Sequence, residues 1–214
     1  MAKRIRTRTI ALGLAGVGLA GGMAGLGTFA TFTGTTSAAH TIASGTVSIA
    51  LGTPGSATNR LTVNASGLVP GDTVQRRVQL TNPAGNENLA SVVLTTAASP
   101  SSLLDTDATN GLQMKIEKCS GALGWLESAA SPHTYTCNQV APSDNLGVRA
   151  SVVASRAVIG SGMALSGMSS LTAGGVDDMV VTLTLPSSAG NTLQTLSSTI
   201  SYTFLATQRA AGAQ

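Results

Sequence analysis

Charged side chains make up only 10% of these 214 residues and aromatic ones only 3%. Helical bundles and coiled coils dress their solvent faces in Glu, Lys and Arg, so scarce charge together with 25 glycines excludes them. Low charge with 43% hydrophobic content favours collapse, which excludes a disordered chain. Histidine is limited to His40 and His133, and neither belongs to a His-Glu-x-x-His pair, so the usual zinc-hydrolase signature is absent. No Gly-x-Ser-x-Gly elbow is present for acyl transfer. Of twelve cations, Lys3, Arg4, Arg6 and Arg8 stand in the first eight residues, leaving eight against nine anions. That balance offers no basic surface, and nucleic acid is excluded as a partner.

The cationic start is followed by an uncharged Leu-Ala-Gly run from Ile10 to Phe32, the layout of an export signal. Its length would also span a bilayer, so a retained anchor is the alternative reading. The many glycines make it a poor permanent helix, and cleavage after Ala30 is expected to give a mature start at Thr31, with Ser37-Ala38-Ala39 as a second candidate. Contact with the membrane would then be transient. Cysteine is limited to Cys119 and Cys137, and in an oxidising compartment these two would form one disulfide; a metal site or reactive thiols are the alternatives.

Beyond Ser44 the hydrophobic residues alternate with period two. The pattern predicts strands around Val47-Ile49-Leu51, around Leu61-Val63-Ala65, and over 73–81, 89–96, 112–118, 134–140, 179–185 and 199–206. Leu68-Val69-Pro70-Gly71-Asp72 reads as a turn. Strands separated by turn clusters, with no long amphipathic helix between them, predict an all-β antiparallel sandwich or jelly roll. The stretch from Gly147 to Gly175 fits strand, helix and loop equally. Arg76 falls on the apolar face of its strand and reads as a snorkelling or strand-end arginine. Cys119 lies off the apolar parity of Leu112, Met114 and Ile116, so the disulfide is expected to staple an outer hairpin or loop.

Other motifs read structurally. Asp105 and Asp107 raise calcium, but Asn110 and Ile116 stand where that loop needs Gly and Glu, leaving a solvated turn. Asp177 and Asp178 point to opposite faces of a strand near solvent, and each histidine reads as a solvated loop residue. Trp125 reads as a packing partner of the disulfide, and Met163 and Met168 as core. Asn64-Ala65-Ser66 is a glycosylation sequon by pattern alone. No cofactor and no catalytic residue is expected.

Several segments taken in order resemble the TasA and camelysin-like secreted proteins, whose signal is handled by a signal peptidase of the SipW type. They are Gly27-Thr28-Phe29-Ala30-Thr31-Phe32, Ala43-Ser44-Gly45-Thr46-Val47, Leu68 to Asp72, Leu185-Pro186 with Ala189-Gly190-Asn191, and Phe204-Leu205-Ala206-Thr207-Gln208. The chain departs from those proteins at Gly34, where relatives often carry an acidic residue, and in its cysteine pair. The resemblance implies a jelly-roll body over 44–208 and a flexible arm over 31–43, beside the signal over 1–30 and the tail over 209–214, which reads as frayed. It also implies a structural protein of the cell surface or biofilm matrix that joins its own copies into fibres. The arm would serve as donor strand, anchored by Phe32 and Ile42. A monomeric adhesion module is the alternative, and a camelysin-type metalloprotease a further one.

Overall fold

The computed structural model describes residues 48–62, 67–120, 123–138 and 147–210, all within the unit Gly45–Gln214. In chain order the elements are β1 (Ala50–Leu51), β2 (Thr73–Thr81), β3 (Leu89–Ala98), α1 (Leu103–Thr106), β4 (Gln113–Cys119), β5 (Gly124–Glu127), β6 (Tyr135–Asn138), β7 (Arg149–Ala157), β8 (Gly160–Ala164), β9 (Val176–Thr184) and β10 (Ile200–Gln208). Period-two alternation is the cause of the long strands. Val78 and Leu80 on β2, Val92 and Leu94 on β3, and Met114 and Ile116 on β4 are buried at every second position.

Pairing is nested. β2 pairs with β9, β3 with β8, β4 with β7 and β5 with β6, each antiparallel. The first and third of these rungs enter a five-stranded sheet of order β1-β2-β9-β4-β7, and the second enters a three-stranded sheet of order β10-β3-β8. An antiparallel ribbon rolled so that successive rungs fall in opposite sheets is the jelly-roll arrangement, and the expected all-β sandwich is what the chain forms. The fourth rung departs from the scheme and stands as a separate two-stranded hairpin.

Between the sheets lies one core, with Val78, Leu80, Met114, Ile116, Met179 and Val181 facing Val92, Leu94 and Met163. Met163 and Met168 are both core, as expected. The turn at 69–72 also forms as read: Asp72 N donates to Val69 O at 2.9 Å, and Gly71 takes φ 99°, which the third residue of a type II turn requires.

Three expectations are corrected and one open stretch is resolved. Leu61 lies in a turn, because Asn59 donates from Nδ2 to Gly52 O at 2.9 Å and accepts from Leu61 N at 3.3 Å, a local alternative to strand pairing. Only Ala50–Leu51 of the first alternating set is strand, while Ile49 packs against the core. The ambiguous stretch after Gly147 contains two strands, β7 and β8, and a 3-10 turn at Ser169–Leu171. Arg209 is no frayed end: its Nη2 lies 2.9 Å from Glu87 Oε2 and its N–H donates to Asn88 O. Val47, Val63, Ala65, the sequon Asn64 to Ser66 and residues 211–214 lie outside the described residues.

Candidate functional site: the stapled hairpin and the open edge

On β4 the residues that alternate away from Met114 and Ile116 face outward, and the last of them is Cys119. Cys119 bonds to Cys137 on β6, so the staple holds the β5–β6 hairpin against the outer face of the five-stranded sheet. Beneath it Trp125, Tyr135 and Cys137 close over Val180, which points outward from β9 and is fully buried. Trp125 Nε1 donates to Asp178 O at 3.0 Å, and the Arg149 guanidinium stands 5.1 Å from the indole centroid. Trp125 is thus the packing partner of the disulfide.

Ion pairs frame this second core. Arg77 forks onto Asp178, with Nε donating to Oδ1 at 2.7 Å, and this bond to the carboxylate holds the guanidinium above its ordinary pKa. Glu127 Oε1 accepts from Arg60 Nη2 at 2.7 Å and lies 2.9 Å from His133 Nδ1. His133, read as solvated, is mostly covered and engaged with a carboxylate. Glu127 itself was not singled out from the sequence, since its partner Arg60 lies 67 residues away. Glu127→Ala removes the acceptor that Arg60 and His133 share. It is expected to lower the midpoint of urea denaturation, and an unchanged midpoint would mean that these contacts add nothing to the fold.

The acidic pairs do not converge. Asp105 is 4% exposed and caps α1, accepting from Ser102 N, Ser101 Oγ and Ser198 Oγ, while Asp107 accepts from Thr109 N and Asn110 N in the following turn. Asp177 is buried as well, accepting from Ser169 N at 2.9 Å and Ser170 N at 2.7 Å, with Lys118 Nζ 3.7 Å away. Asp105 and Asp177 therefore overturn the solvated-turn and near-solvent readings. Both satisfy backbone amides that folding would otherwise bury unpaired. Arg76 is buried beside Tyr202 and donates from Nη1 to Gln75 O at 2.8 Å; burial holds its pKa below the ordinary value.

A zinc centre needs about three converging ligands, usually with an open coordination position. Among the described residues no group of three His, Cys, Asp or Glu side chains converges. The candidates are spent elsewhere: the cysteines on each other, His133 on Glu127, Asp177 on backbone amides and Asp178 on Arg77. The donor set of the described residues does not fit the metal.

A different arrangement marks the far sheet. β10 pairs with β3 on one side over all nine of its residues, and among the described residues no strand pairs with its other side. The family model described as camelysin metallo-endopeptidase matches residues 5–213, nearly the whole chain. This chain belongs to the camelysin family. The match supports the resemblance to TasA and camelysin-like proteins, a family of secreted and cell-surface proteins. No curated protein matches the chain. Among the described residues of this camelysin-family chain, no helix is long and apolar enough to cross a membrane. The cleavage residues Ala30 and Thr31 and the donor-strand anchors Phe32 and Ile42 lie outside the described residues, as does His40.

Proposed function

We propose that this camelysin-family protein is a secreted structural component of the cell surface or biofilm matrix whose copies join by strand donation. In this reading the edge of β10 receives residues 31–43 of the next copy. The observation that carries it is the state of β10. It is a nine-residue edge without Lys, Arg, Asp, Glu or Pro, the residues that natural edges use to refuse a further strand. Its inward side chains Ile200, Tyr202, Phe204 and Ala206 pack against the core yet remain only partly covered. An added strand would pair the N–H and C=O groups on the side of β10 that no described strand occupies, while its alternate side chains, Phe32 and Ile42 among them, close the flank.

Removal of the leader after Ala30 by a SipW-type signal peptidase would release Thr31 as the start of the donor. The peptidase alternative is supported by the family's description, and the described donor set gives it no metal-binding geometry. The test uses protein recovered from culture fluid, with its N-terminus sequenced and its size measured. Native protein is expected to begin at Thr31 and to form rows of copies, and deletion of residues 31–43 is expected to leave single copies. Rows that persist after the deletion would overturn strand donation, and chelator-sensitive proteolysis by pure protein would restore the enzyme.

A further inference from the structure

The charges borne by strands are divided unevenly between the two sheets. β2, β4, β7 and β9 carry Arg76, Arg77, Lys115, Glu117, Lys118, Arg149, Arg156, Asp177 and Asp178, whereas β3, β8 and β10 carry no charged residue. Their outer faces differ as well. The larger sheet is roofed by its own β5–β6 hairpin over Val180, and no described element covers the smaller one. Across that bare face Leu205, Val93 and Ala164 stand in register on three adjacent strands, beside the cross-strand pair Thr203 and Thr95. Leu205 is 62% exposed.

We propose that the outer face of the three-stranded sheet pairs with the same face of a second copy of this chain. The lack of charge selects this occupant. A two-fold contact sets each residue group against its own image, so any charge near the axis would meet its like; here none does. A basic or acidic partner would find no complement on this face. Nor does a lipid surface, which selects Lys and Arg around inserted aromatics. Strands of ten, five and nine residues about 5 Å apart offer on the order of 400 Å² per copy. Two such faces bury about 800 Å² in total, below the roughly 1,200 Å² of stable complexes. Free copies therefore pair weakly, and rows of linked copies pair side by side because each contact raises the effective concentration of the next. That second step rests on the strand-donation reading; the pairing of faces does not.

The test uses protein recovered from culture fluid, with sedimentation equilibrium up to about 1 mM and electron microscopy of any filaments. Ala164→Lys and Ala164→Glu both alter an exposed side chain on β8, away from the β10 edge that would receive the donor strand, so thermal unfolding should match wild type. Wild-type protein is expected to pair with rising concentration. Each variant alone is expected to weaken pairing at least tenfold, and an equimolar mixture of the two to restore it, because Lys then faces Glu. Filaments of either variant should keep their length and lose their side-by-side pairing. Wild-type protein that never pairs, variants that pair as wild type does, or a mixture without rescue would overturn the face. Face-dependent pairing without any filaments would leave the face standing and sink strand donation; filaments of unchanged width in both variants would do the reverse.

Discussion

Trp125→Ala is expected to lower the unfolding free energy by about 4 kcal/mol and the melting temperature by about 10–15 °C, read by circular dichroism. The indole is 2% exposed, and truncation empties the space between the hairpin and Val180. It also leaves Asp178 O without its donor and Arg149 without its aromatic face, each loss adding roughly 1 kcal/mol or less. Trp125→Phe keeps most of the buried area and loses only the N–H, so about 1–2 kcal/mol is expected. The disulfide supplies a control. Closing a loop between residues 18 apart restricts the unfolded chain by roughly 3 kcal/mol. Replacing both cysteines by serine should therefore cost a similar amount. Combined with Trp125→Ala the losses should fall short of additive, because a hairpin already released no longer needs its anchor. A loss under 1 kcal/mol on Trp125→Ala would mean that the hairpin does not dock on the sheet in solution.

This hairpin also shows where the sequence stops being legible. Long strands were readable because each presents one face to the core and one to solvent, and alternation then records the fold directly, as in β2, whose limits match the expectation residue for residue. β5 has four residues and buries Trp125 against the sheet face that alternation assigns to solvent, so its period carries no message. β7 and β8 were obscured differently. Consecutive Val152 and Val153 are both buried, and β8 is built largely of Gly, Ser and Ala, so neither strand shows a clean two-sided pattern. The parity of Cys119 did carry information, since it placed the staple outside the main core, where it is found. Asp177 gave no local signal: its amide partners lie seven and eight residues back along the chain, in a turn that only the folded sheet brings close. For β10, alternation located the strand, but that no described strand pairs with its other side is a property of sheet order that no window of sequence contains.

Asp105 tests whether the cap of a four-residue helix controls the open edge. The pattern Ser102-x-x-Asp105 is a capping box: Ser102 Oγ accepts from Leu104 N while Asp105 Oδ2 accepts from Ser102 N at 2.7 Å. The same carboxylate accepts from Ser198 Oγ at 2.6 Å, two residues before β10 begins. Burial alone would raise its pKa, but the bonds from Ser101, Ser198 and Ser102 outweigh burial and hold it below the ordinary value. A depressed carboxylate stabilises the fold fully above its unfolded pKa of about 4, and that contribution is lost as pH falls through the lower folded value. Wild-type stability should therefore decline below about pH 4 more steeply than that of Asp105→Asn, which has no charge to titrate there. Asp105→Ala strands the Ser102 amide and the Ser101 hydroxyl and leaves Ser198 Oγ only the Ser102 hydroxyl, 2.7 Å away, so it should cost about 2–4 kcal/mol at neutral pH. Because Ser198 is held by this carboxylate, hydrogen exchange after Asp105→Ala should quicken first over 198–202, at the start of the edge assigned to the donor strand. Exchange that quickens evenly across both sheets would mean that the cap stabilises the whole sandwich and has no particular hold on β10.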